Sequence, residues 1–251
     1  MARSLMPKEH GAYGQLAFPA ASALLLGRPT LASVALVVSA CALFFAHEPW
    51  LVLLGRRGTR ARREDGRPAT RALAASLTMG GLCAGIALAR APSAAWALAP
   101  SVALGALVVP LVIAGKEKTL AGELLVATAL SSLALPVALM SGVRAGEAAA
   151  VALVWTASFG LATLGVREAM ARRRLSRRGA PRSLMAPIAV AVVVAVAAAQ
   201  GWWVALAVAP FVAACALLVL APPAPRHMKR VGWSLIGASG ATLAAVALIP
   251  L

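Results

Sequence analysis

The sequence predicts an all-α fold: a polytopic transmembrane helical bundle of about nine helices, N-terminus inside and C-terminus outside. Two observations carry this. The 251-residue chain is 61% hydrophobic, and its apolar residues gather into nine long stretches. Its 24 Lys and Arg residues fall almost entirely in every second gap between those stretches. A helix needs roughly 17–25 mostly apolar residues to cross about 30 Å of hydrocarbon, where only helices or closed barrels satisfy their own backbone.

Taken in order, Arg3 and Lys8 precede the first stretch, Ala12–Leu26, which is marginal in length. Arg28 separates it from Ala32–Leu54, and Arg56, Arg57, Arg60, Arg62, Arg63, Arg67 and Arg71 follow. Ala72–Ala89 and Ala94–Ala114 are parted by Arg90, and Lys116 and Lys118 come next. Leu120–Met140 and Gly146–Val166 flank Arg144, ahead of a second arginine run: Arg167, Arg172, Arg173, Arg174, Arg177, Arg178 and Arg182. Leu184–Gln200 and Trp202–Ala221 have no cation between them; Arg226, Lys229 and Arg230 lead into Val231–Leu251. Every cation except Arg28, Arg90 and Arg144 thus lies on one side. Positive residues in short loops stay cytoplasmic, which sets the orientation. Abundant Ala and Arg suit a GC-rich bacterial genome, and the location expected is the bacterial cytoplasmic (inner) membrane.

The same distribution explains the net charge of +16. A basic chain often binds nucleic acid. Here the charge is divided among short loops at a membrane surface, where anionic headgroups contribute about 1 kcal/mol per Lys or Arg. The partner expected is the lipid bilayer, with no nucleic acid. The chain reads as one transmembrane domain, 1–251, with basic cytoplasmic loops at 55–71 and 167–183. Both loops hold too few apolar residues for a core and read as flexible connections or short extensions of the preceding helices. Cys41, Cys83 and Cys215 lie inside apolar stretches without metal-site spacing, so no disulfide framework or zinc site is expected. The first helix reads as retained rather than as a cleaved signal, because Lys8-Glu9-His10-Gly11 is a chemically loaded start for a discarded segment.

Polar chemistry is confined to few positions. Glu64 and Asp65 lie among loop arginines as solvated partners, and Glu147 suits the N-terminus of the sixth helix. The other acids gather near cytoplasmic helix ends: Glu9 beside Lys8 and His10, Glu48 beside His47, Glu117 between Lys116 and Lys118 with Glu123 one turn on, and Glu168 beside Arg167. Ionisable groups in or beside membrane spans are costly and usually face a polar cavity or one another. A cytoplasm-facing cavity lined by Lys8, Glu9, His10, His47, Glu48, Lys116, Glu117, Arg167 and Glu168 is the sharp expectation. The plain alternative is snorkelling cations paired with carboxylates, without a ligand.

Pro-Lys-Glu-His-Gly-Ala-Tyr-Gly at 7–14, Phe45-Ala46-His47-Glu48-Pro49 before an arginine loop, and Lys116 in its short loop resemble the YwiC-like family of bacterial membrane proteins. Nine helices with an inside N-terminus and functional-looking loops after helices two and six are more distantly similar to the UbiA-type membrane prenyltransferases. That resemblance implies a UbiA-like arrangement and a lipid or prenyl-type ligand. In that superfamily, Asp-rich motifs at the two loops hold magnesium and a prenyl diphosphate. This chain departs at both, with His47-Glu48-Pro49-Trp50 and Arg167-Glu168. Bridging magnesium ions want several carboxylate oxygens, and one Glu per site is too few, so no metal site is assigned.

Two readings follow. In the first, a membrane-embedded transferase uses Lys8, Lys116 and Arg167 to clamp an anionic head, with Glu117 and Glu168 beside them. His10 or His47 then serves as general acid or base, oriented by Glu9 or Glu48. In the second, a transporter or accessory protein uses the same residues to bind a small anion or to pass protons. Alternating access needs midplane sites and broken helices, for which Pro110 and Pro136 are the available hints. A purely structural subunit is a third reading. Composition names neither the reaction nor a cofactor.

Overall fold

The computed structural model describes residues 5–6, 10–175, 185–199, 201, 203–224 and 228–248. Helices α1 (His10–Leu26) and α2 (Leu31–Leu53) form the first hairpin, followed by α3 (Thr59–Arg90). A 3-10 turn at Pro92–Ala97 runs into α4 (Leu98–Ala114). Next come α5 (Leu120–Ser132), α6 (Ala134–Met140), α7 (Ala145–Leu175) and α8 (Met185–Ala199), then a 3-10 turn at Trp203–Val208 that leads into α9 (Ala209–Leu220), and finally α10 (Met228–Leu248). Because α5 and α6 together fill one apolar stretch, the described residues reproduce the nine expected segments, and no strand occurs among them. Seven of these segments are long and apolar enough to cross a membrane. The protein is therefore a multi-pass membrane protein. Helix α1, with 17 residues, and α8, with 15, are the short ones.

Local chemistry sets the element ends. The Thr30 side chain accepts from the backbone N–H of Ser33, while the Ser33 hydroxyl accepts from the Thr30 N–H, a reciprocal cap that starts α2. Gly115, at φ 68°, stops α4 in the left-handed conformation that glycine adopts without penalty. Thr119 caps α5 through the N–H of Gly122 at 3.1 Å. The break between α5 and α6 falls at Leu133, three residues before Pro136, which has no N–H to offer the preceding turn. Pro110, by contrast, sits inside an unbroken α4.

The first arginine loop differs from the expectation of a flexible connection. Only a tight turn around Gly55 and Gly58 separates α2 from α3, and the remaining loop residues are the first three turns of α3. Arginine is a good helix former, Arg60 pairs with Glu64 one turn on at 2.7 Å, and Ala61 and Ala69 are buried. In the second run α7 extends to Leu175, and residues 176–183 lie outside the described residues.

Helix α7 forms the centre, touching α1, α5, α6, α8 and α9, while α1 touches α2, α5, α6 and α10. Between them sits an aromatic column. Phe18 stacks on Trp155 at 5.8 Å between centroids, Trp155 on Phe159 at 5.3 Å, and Phe211 meets Phe159 edge-on at 5.7 Å. The buried Trp155 indole donates to the Ser22 hydroxyl at 2.9 Å, so its one polar atom is satisfied. Helices that cannot rely on a hydrophobic force within lipid also use interhelical hydrogen bonds. Ser39 donates to the Gly80 carbonyl at 2.8 Å between α2 and α3, and Thr242 of α10 donates to the Ala207 carbonyl at 2.9 Å. Helices α3 and α4 are peripheral, with Leu77, Leu82, Val102 and Leu107 exposed on outward faces suited to lipid.

Candidate functional site

The cation-rich end of the bundle is built from three places: the turn after α2, the turn after α4, and the end of the apolar part of α7. Glu48 lies in the last two turns of α2 and is 1% exposed. Alone, a carboxylate there would be very costly. The chain supplies Arg57 from the following turn, whose Nε donates to Oε1 at 2.8 Å and whose terminal nitrogen engages Oε2. This is the two-point guanidinium-carboxylate geometry that only arginine offers. Pro49 is buried beside it, and His47 is half-buried one residue earlier.

The two sequence motifs meet in space. Tyr13, on the first turn of α1, packs edge-on against Phe44 at 5.1 Å and lies 6.2 Å from Phe45. The described end of the first motif, at Tyr13, therefore approaches α2 within a turn of His47. His10 opens α1. Lys8 and Glu9 lie outside the described residues.

The neighbouring arginine makes the next link. A Cβ built on Gly115 would collide with the guanidinium of Arg56, so the α2–α3 turn rests directly on the α4–α5 turn. Lys116 follows Gly115 and is exposed. Glu117 is half-buried, with its Oε2 enclosed and lacking a hydrogen-bond partner among the described residues. From this turn the chain of contacts continues into α7. Arg167 donates from Nε to Glu123 Oε2 at 2.6 Å and from its terminal nitrogen to the Lys118 carbonyl. Glu168 is half-buried on the following position.

The structure thus gathers Glu48, Lys116, Glu117 and Arg167 along one continuous run of contacts, with His47 and Glu168 adjacent in sequence. It also pairs Arg167 with Glu123, 44 positions away, instead of with its sequence neighbour. Three important residues were not singled out as binders by sequence reasoning: Arg56 and Arg57, taken as loop cations, and Glu123. A buried-depth carboxylate at Glu48 followed by a glycine turn was the signal for Arg57. Nothing local marked Arg56, because its partner is a glycine two helices later. Among the described residues, no three of the His, Cys, Asp and Glu side chains come together as metal ligands do.

Chemically, the arrangement is a layer of neutralised carboxylates with cations left over. Glu48 and Glu123 are each occupied by an arginine, while the side chains of Arg56 and Lys116 make no hydrogen bond or ion pair among the described residues. Surplus cations at adjacent turns attract an anion with oxygen acceptors, phosphate above all.

The family model described as YwiC-like protein matches residues 6–139, just over half of the chain. The match spans both motifs, the Glu48–Arg57 pair, Arg56, Gly115 and Glu123, and stops before α7. Neither a curated protein nor a solved structure matches the chain.

Proposed function

The chain belongs to the YwiC-like family, and we propose that it is a bacterial inner-membrane protein that handles a lipid or prenyl-type ligand by its anionic head. The binding place is the cation-rich end, cytoplasmic by the positive-inside rule. The reaction class that fits best is group transfer by a membrane-embedded transferase of UbiA-like plan.

One observation carries the reading: the Arg56 guanidinium lies on Gly115, the residue before Lys116, so cations from separate hairpins belong to touching turns at the end of the bundle. They supply directly the charge that clamps a phosphate and stabilises a leaving group. Glu48 is engaged with Arg57 and so acts as a positioning residue, fixing the turn that presents Arg56. His47 and His10 are the general acid or base candidates, since histidine titrates near neutrality. Glu117 lies beside Lys116 in the α4–α5 turn, and Arg167 with Glu168 closes the far side; Lys8 and Glu9 are the remaining cation and carboxylate candidates by their chemistry.

A second reading, a transporter or accessory protein for small anions or protons, draws on the enclosed Glu117 Oε2 and on the helix break at Leu133. A buried oxygen without a partner is a docking point for a cation or donor, and transporters use broken helices.

Native mass spectrometry of protein gently extracted from its own membrane separates these. A co-purifying prenyl- or quinone-type lipid, lost in the Arg56→Ala/Lys116→Ala double variant, is the expected result. A small hydrophilic anion in its place moves the assignment to transport, and a ligand retained by the double variant removes Arg56 and Lys116 from the site.

A further inference from the structure

A shallow, open hollow lies at the same end, between α2 and α3. It has a volume of about 510 Å³ and is lined by Leu53 of α2 and by Arg62, Gly66, Arg67, Thr70 and Arg71 of α3. None of the residues assigned above to substrate or proton transfer lines it.

Two features make it more than a charged face. The first is Gly66. In the interior of a helix, glycine costs about 1 kcal/mol relative to alanine, and a Cβ built here would touch nothing within 4 Å. Packing therefore does not require it, but the hollow does: Arg62, Gly66 and Thr70 form one ridge at four-residue spacing, and the glycine is its gap. Second, Arg62, Arg67 and Arg71 are all exposed, and their guanidinium groups make no hydrogen bond or ion pair among the described residues. By contrast, nearby Arg60 is paired with Glu64. Thr70 Oγ1 spends its one proton on the Gly66 carbonyl at 3.0 Å, so an anion here is held by the guanidinium groups alone.

Position then selects the ligand. Arg71 directly precedes the apolar run that begins at Ala72, and Leu53 is the last residue of α2. The hollow thus straddles the boundary between hydrocarbon and water, with an apolar wall on the α2 side and three cations on the other. Only an amphiphilic anion satisfies both. We propose that this groove seats the phosphate of an anionic membrane phospholipid, with its first acyl carbons against Leu53. This lipid is a resident of the bilayer bound independently of the ligand at Arg56 and Lys116.

The test uses full-length protein in detergent, titrated with short-chain phosphatidylglycerol and followed by native mass spectrometry. Two variants are compared. Arg67→Ala/Arg71→Ala should weaken binding roughly 30-fold, at about 1 kcal/mol for each cation near the headgroup. Gly66→Leu keeps every charge and improves helix propensity, so it should melt no lower than the parent, yet it stands a side chain in the gap between Arg62 and Thr70 and should weaken binding about tenfold by separating phosphate from guanidinium. Phosphatidylcholine of the same chain length should bind far more weakly, and inorganic phosphate should not displace the lipid at equal concentration. Unchanged binding in Gly66→Leu overturns the seat in favour of diffuse attraction. Equal binding of phosphatidylcholine, or displacement by inorganic phosphate, overturns the anionic-lipid assignment.

Discussion

The two ends of the bundle are closed by different chemistry. At the cation-poor end, the α1–α2 turn is fastened to the α6–α7 turn by neutral groups. The Arg28 N–H donates to the Ser141 carbonyl at 2.8 Å, Thr30 Oγ1 donates to the Met140 carbonyl at 2.7 Å, and Gly27 lies so close to Ser141 that a Cβ has no room. At the cation-rich end, the helices are joined by guanidinium groups, with Arg57 on Glu48 and Arg167 on Glu123 and the Lys118 carbonyl. Backbone links are short and indifferent to salt, and they bring no charge with them. Arginine links reach further and bring charge in excess of the carboxylates. The end that only has to close uses the first kind; the end that carries the ligand reading uses the second.

The largest effect expected from breaking this contrast is at Glu48. Arg57→Ala leaves a carboxylate that is 1% exposed without its guanidinium, a loss of about 3 kcal/mol. Thermal unfolding of the detergent-solubilised protein reads it. Glu48→Gln removes the buried charge, and Arg57, 23% exposed, keeps its access to water, so it should cost only about 1 kcal/mol. Equal losses in the two variants would mean that burial of the charge is not what the pair exists to relieve. Next in size is Gly27→Ala at the opposite end, where the added methyl meets the backbone of Ser141 and costs roughly 1–3 kcal/mol by overpacking. That loss should be the same at low and at high salt.

The contrast also marks what sequence reading could reach. The nine segments were legible because hydrocarbon thickness imposes length and composition locally. Pro110 and Pro136 were alike in the sequence as candidate breaks, yet the helix is interrupted only near Pro136, while α4 runs on through Pro110. The helical start of α3 was not legible, because polarity was read as loop, whereas arginine tolerates a helix well and Arg60–Glu64 adds a supporting pair. Partners across the fold were out of reach altogether. Glu48 was found as a costly ion, but Arg57 was one of seven equivalent arginines until the Gly55 and Gly58 turn aimed it. Trp155 meets Ser22 at a separation of 133 residues, and Arg56 meets a glycine that bears no chemical sign of its role.

The smallest effects test whether exposure, rather than distance, decides what a guanidinium link is worth. Arg167 and Glu123 are 33% and 38% exposed although their atoms are 2.6 Å apart. Water competes for both, so Arg167→Ala should lower stability by about 1 kcal/mol or less, and the difference should vanish in about 1 M salt, where the Debye length is about 3 Å. Arg144 at the opposite end is more exposed still and is held above the usual guanidinium range by its hydrogen bond to Glu147. A raised cation contributes its stability below its unfolded value and loses it only as pH rises through the folded one, beyond any working pH. Arg144→Ala should therefore shift the melting temperature by no measurable amount, alike at about pH 7 and about pH 10. If Arg144→Ala costs as much as Arg167→Ala, the extra bond from Arg167 to the Lys118 carbonyl, which Arg144 lacks, contributes nothing, and exposure is not what ranks the two links.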